Sequence, residues 1–147
     1  MPAHTPLTLS KGERICSKLL IDRLFNGSKS HSLASFPLRV VYLSSERTQG
    51  VPPVQLLISV PKRNLKHAVD RNRVKRLIRE AYRHNRYLLT DTLSQHPTLS
   101  LSIALIWLDS HVTEYNTIEQ RMRNVLQRVG ERIDRADGRI ENVDTPI

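Results

Sequence analysis

Apolar residues recur along the chain with two distinct periods. Leu20, Ile21, Leu24 and Phe25 form a stripe behind Ser17, a residue suited to capping, and predict a short helix that Asn26-Gly27 ends. Phe36 to Leu43 is rich in β-formers and partly alternates, so it reads as a strand. A polar loop from Ser44 to Pro53 leads into a second apolar strand, Val54 to Val60, which Pro61 stops. Ala68 to near Tyr87 carries the strongest helical pattern, with Val74, Leu77, Ile78 and Ala81 facing the core. Asp91 to Pro97 reads as a loop. Leu99 to Leu108 is almost continuously apolar, as expected of a central strand buried on both faces. Thr113 can cap a last helix from Glu114 to near Ile133, whose inner stripe is Ile118, Met122, Val125, Leu126 and Val129. The order helix, strand, strand, helix, strand, helix predicts an α+β or α/β sandwich around a small sheet. Residues 1–10, with Pro2 and Pro6, read as a flexible arm, 11–135 as one domain, and 136–147 as a polar tail. No internal repeat is visible.

Charge changes this picture. The chain has 147 residues, enough for one domain, and a net charge of +9 with a pI near 10.3. That balance suits a polyanionic partner: nucleic acid, an anionic membrane surface or an acidic protein. The excess is local. Lys62 to Arg86 holds ten basic residues against Asp70 and Glu80, whereas the rest of the chain holds thirteen basic and twelve acidic residues. Charge that served solubility alone would be spread more evenly.

On a helix, with successive residues ~100° apart, Asn72, Lys75, Arg76, Arg79, Arg83 and Arg86 fall on one face roughly opposite Val74, and Arg71 and Arg73 flank it. Like charges at these spacings repel, and phosphates relieve that repulsion. Arginine outnumbers lysine, and a guanidinium can both grip a phosphate with two N–H bonds and stack on a base. Asn72 adds donors and an acceptor for sugar hydroxyls or base edges. A solvated charged face is the simpler alternative, but the charge is nearly unopposed and confined to one helix. A membrane-surface helix would need its apolar stripe for insertion, and here the core needs it. A DNA regulator would want a mixed polar face for base readout. A structural, ribosomal-type RNA-binding protein fits the composition and charge equally well.

Cys16 is the only cysteine, which excludes an intrachain disulfide and a cysteine-based metal cluster. His4, His31, His67, His84, His96 and His111 are scattered without ligand spacing, and no acidic cluster is visible. His67 and His84 border the basic helix, and Trp107 lies in the buried run. The start of the chain lacks the basic-then-apolar order of a secretory signal. No apolar run approaches the ~20 residues that span a bilayer. A cytoplasmic protein is expected.

Ser59-Val60-Pro61-Lys62-Arg63, followed after seven residues by Arg71-Asn72-Arg73-Val74-Lys75-Arg76-Leu77-Ile78-Arg79-Glu80, resembles the central motif of bacterial ribonuclease P protein subunits. Lys11, Arg14 and Ile15, then Ile21 and Leu24-Phe25, resemble that family's N-terminal segment and first helix. The resemblance covers roughly residues 9 to 132. It implies an α-β-β-β-α-β-α sandwich with a left-handed βαβ crossover, a rare handedness. The third strand would lie near Ser59 to Arg63 or within Ser44 to Val51. The resemblance also implies that the basic helix contacts the catalytic RNA through Arg71, Asn72, Arg73, Lys75, Arg76, Arg79 and Arg83, with Lys62 and Arg63 nearby. A separate cleft between the first helix and the sheet would hold the single-stranded 5′ leader of precursor tRNA, lined by Ile21, Phe25, Phe36 and Tyr42. Aromatic side chains suit that role because bases stack on them, whereas Ile21 stands where the family often has Phe. Ordinary core packing is the alternative for these four. The chain would assist endonucleolytic removal of the leader without catalytic residues of its own. Mg²⁺ would sit on the RNA subunit and substrate, none held firmly by the protein. No membrane and no protein partner would be required.

Overall fold

The computed structural model describes residues 18–27, 29–47, 49–50 and 52–142, with side chains described over 21–136 apart from 28, 48 and 51. The predicted arm, Lys11, Arg14, Ile15, the Ser17 cap and residues 143–147 lie outside the described residues. The elements are α1 (Lys18–Asn26), β1 (His31–Ser35), β2 (Leu38–Glu46), β3 (Val54–Ser59), α2 (Ala68–Asn85), α3 (Tyr87–Ser94), β4 (Leu99–Trp107) and α4 (Tyr115–Asn142).

The apolar run Leu99 to Trp107 occupies the interior of the sheet, whose order is β1-β2-β4-β3. β4 pairs antiparallel with β2 and parallel with β3, which explains why its residues are buried on both faces. Parallel β3 and β4 require a crossover, and α2 with α3 supplies it. This is the βαβ unit whose left-handed sense the resemblance implies.

Strand alternation divides the interior into two layers. Leu33, Val40, Leu56, Ile103, Leu105 and Trp107 join Val74 and Ile78 of α2 and Ile118, Met122 and Val125 of α4 in the main core. The opposite sheet face carries a smaller cluster, in which Val41, Ala104 and Ile106 pack with Leu24 of α1. The sheet thus lies between α1 on one side and α2, α3 and α4 on the other.

Several elements differ from expectation. The extra strand is β1, His31–Ser35, not a segment near Ser59 to Arg63 or in the Ser44 to Val51 loop. Its single buried apolar residue, Leu33, gives too little alternation to read, and it is the pairing of His31 with Tyr42 through Ser35 with Leu38 that makes it a strand. The first predicted strand therefore starts at Leu38, after the Phe36–Pro37 cis peptide, and continues through exposed Ser44, Ser45 and Glu46 because β4 pairs with them.

The segment read as a loop from Asp91 is largely α3. Arg86 keeps helical dihedrals (φ −63°, ψ −19°), so the chain bends after α2 rather than leaving it. Leu89 and Leu93 are then buried against α4. Close approach there depends on Gly130, since a Cβ at that position would lie 3.0 Å from Thr92 Oγ1. α4 runs past its predicted end near Ile133 to Asn142, into the segment read as a tail. At the end of α1, Gly27 is needed for space rather than for a left-handed backbone: a Cβ would sit 2.3 Å from the Arg23 carbonyl oxygen.

Candidate nucleic-acid interface

α2 buries Val74, Ile78, Ala81 and Tyr82, which fixes the rotation of the helix and turns its cations outward. Asn72, Arg73 and Arg76 are exposed, and Lys75 and Arg79 are partly buried on the flanks. Among the described residues, no ion pair engages Arg73, Arg76, Lys75 or Arg79. Lys62 and Arg63 are exposed in the loop before the helix. Among the described residues, seven of the nine predicted to meet RNA therefore have no hydrogen-bonded or ionic side-chain partner, five on α2 and two in the loop before it. The two exceptions have internal partners: Arg71 donates to backbone carbonyls of that loop, and Arg83 pairs with Glu80.

Glu80, one of two acids in the basic stretch, also accepts from His84 at 2.8 Å. The His84 hydrogen bond, helped by Arg83, holds the Glu80 carboxyl below the usual range against the opposing effect of burial. The cationic surface thus fades toward the C-terminal end of α2 and is strongest around Arg73 and Arg76.

Behind this surface a polar seam joins α2 to α4. Asn85, 2% exposed, donates from Nδ2 to the Ala81 carbonyl at 2.9 Å and to Glu119 Oε2 at 3.0 Å. Arg123 donates to the same Glu119 oxygen at 2.7 Å. The hydrogen bond from Asn85, then that from Arg123, keeps the Glu119 carboxyl below its ordinary 4.5. Nearby Tyr115 is pushed up, by burial first and then by the charges of Glu80 and Glu119. A carboxyl lowered on folding stabilises the fold above its unfolded pKa, and the effect is lost as pH falls through the still lower folded value. Stability measured by urea unfolding from neutral pH to about pH 3 is therefore expected to drop below pH 4.5, with a shallower drop in Glu119→Gln.

The second predicted site is only partly assembled. Leu24 of α1 is fully buried and Ile21 packs beside it, whereas Phe25 is 43% exposed. Phe36, in the turn between β1 and β2, is 61% exposed. Tyr42 does not join them. Val41 and Leu43 face α1, so strand alternation sends Tyr42 to the opposite face, where it is 4% exposed in the main core and its ring lies 5.4 Å from that of His31. α1 packs on β2 and β4 but leaves the same face of β3 half open, and Gln55, Leu57 and Ser59 line this strip. Those three were missed by sequence reasoning. The alternation of Val54, Leu56 and Ile58 into the main core would have pointed to them.

Among the described residues, no group of three or more His, Cys, Asp or Glu side chains could hold a metal ion, and no helix is long and apolar enough to cross a membrane. A sandwich with a cationic helix face on one side and a half-open sheet strip on the other is an α+β architecture suited to nucleic acid. The family model described as Ribonuclease P matches residues 9–130. A ribonuclease P protein component of Porphyromonas gingivalis strain ATCC 33277 is 38% identical over 130 residues, covering 88% of this chain and 91% of the relative. That of Chlorobaculum tepidum is 40% identical over 88 residues, 58% of this chain and 56% of the relative. The solved ribonuclease P protein of Thermotoga maritima superposes with a TM-score of 0.55 at 23% identity, over 76% of this chain and 94% of that one, which supports the fold. The chain belongs to the bacterial ribonuclease P protein family. It is thus the accessory protein subunit of a tRNA 5′-processing endoribonuclease, with the ribonuclease P RNA as its partner.

Proposed function

We propose that the face of α2 bearing Asn72, Arg73, Lys75, Arg76 and Arg79, with Lys62 and Arg63, docks on the catalytic RNA. The α1 side of the sheet then receives the 5′ leader of precursor tRNA. The observation that carries this reading is the row of cations held outward on a helix whose rotation the core fixes, with no acidic partner among the described residues. Guanidinium groups so held meet phosphates without first breaking an internal pair. Hydrolysis, in this reading, is performed by the RNA with Mg²⁺ bound to RNA and substrate. The protein contributes position and charge neutralisation, in the cytoplasm and without a further protein.

Exposed Phe25 and Phe36 are the residues suited to stack on unpaired leader bases, and Tyr42 is dropped from the cleft. Phe25→Ala is expected to weaken binding of precursor tRNA to the reconstituted enzyme about five- to tenfold, with mature tRNA, which has no leader, unaffected. Equal losses for the two substrates would remove Phe25 from the leader site.

A further inference from the structure

The connection between β3 and α2 carries three exposed cations, Lys62, Arg63 and Lys66, within five residues. Its backbone is nonetheless tied down at several points. The amides of Asn64 and Leu65 donate to the Pro61 carbonyl at 3.1 and 3.2 Å. Asn64 Nδ2 donates to the carbonyl of Trp107, the last residue of β4, at 2.7 Å. Arg71 Nη1 donates to the carbonyls of Leu65 at 2.9 Å and Lys66 at 2.7 Å. The Leu65 side chain is buried in the main core. Arg71 thus turns back onto the loop, whereas Arg73 and Arg76 point to solvent.

Like charges packed this closely repel, and a loop of this composition left untethered would be ordered only on binding, at an entropic cost. A guanidinium nitrogen shared by two successive carbonyls makes charge-assisted bonds and fixes both peptide planes at once. We propose that Arg71, together with Asn64, is a positioning residue for RNA binding. It holds residues 61–67 so that Lys62, Arg63 and Lys66 form a second, preformed phosphate-binding ridge beside the α2 face. The Nη1 edge of Arg71 is spent on the loop and not on RNA. This rests on the reading of α2 as the RNA-binding helix.

Two measurements test it together. In the free protein, hydrogen exchange at the Asn64 and Leu65 amides should quicken about tenfold or more in Arg71→Ala and in Asn64→Ala, with the β4 amides unchanged. In titrations with a bacterial ribonuclease P RNA transcript, Arg71→Ala should weaken binding, and its effect should vanish when Lys62, Arg63 and Lys66 are already alanine. Unchanged loop exchange, or a loss that adds in full to that of the Lys62, Arg63 and Lys66 substitutions, would overturn the proposal. Arg73→Ala/Arg76→Ala in the same titration separates the two levels. If that pair leaves affinity untouched, the α2 reading falls and takes the RNA role of the loop with it. The exchange result, obtained without RNA, still decides whether Arg71 orders the loop.

Discussion

Replacing Arg73 and Arg76 together with alanine is expected to lower affinity for ribonuclease P RNA on the order of tenfold to a hundredfold at physiological salt. The magnitude follows from counterion release: each phosphate left without its cation should reduce the slope of log affinity against log salt by about one unit. Both side chains are exposed and have no ion-pair partner among the described residues, so the substitution removes binding groups without disturbing packing. Thermal stability should be unchanged, or slightly raised as like-charge repulsion on α2 falls. Arg83→Ala makes a useful contrast. Because Arg83 is held by Glu80, its removal should move the salt slope less than removal of Arg73 or Arg76. A slope unchanged in the double variant would mean that these two side chains do not meet phosphate.

The second large effect concerns α1. This helix has nine residues and, among its described side chains, one fully buried anchor, Leu24, on the small cluster of Val41, Ala104 and Ile106. Helices this short are marginal in water unless packing supports them. Leu24→Ala should cost about 2–5 kcal/mol at this site. Since most of the core lies on the other face of the sheet, the effect should appear as local release of α1, not as global unfolding. Hydrogen exchange should show the α1 amides losing protection while those of β4 and α4 keep theirs. Loss of protection throughout the protein would mean that the smaller cluster is part of a single cooperative unit. In the proposed function, release of α1 also removes one wall of the leader site, so precursor tRNA binding should fall with it.

The sequence made some of this legible and hid the rest for identifiable reasons. Long periodic segments declared themselves: Val74 and Ile78 in α2, Ile118 to Val129 in α4, and the apolar run of β4 all lie where the spacing put them. The cationic face was equally readable, because the residues that bury α2 dictate which residues it exposes. Elements held by pairing rather than pattern were not. β1 has one buried apolar residue and exists because β2 lies beside it, and α3 is a bent continuation packed at Gly130. The proposed leader site differs from expectation at one strand position. Whether Tyr42 faces α1 depends on the register of β2, which Val41 and Leu43 fix and sequence alone left open. Arg71 and Arg83 show a further limit. On a helical wheel they resemble their neighbours, yet each is committed to an internal partner that only three-dimensional placement reveals.

Reconstitution tests the RNA-dependent role of this chain most directly. The purified protein is combined with a bacterial ribonuclease P RNA transcript and precursor tRNA at a Mg²⁺ concentration where the RNA alone is slow. The wild-type protein should restore 5′ cleavage, Arg73→Ala/Arg76→Ala should restore it only at much higher protein concentration, and the protein without RNA should cleave nothing. Cleavage by the protein alone, or no stimulation of the RNA by the wild-type chain, would contradict that role.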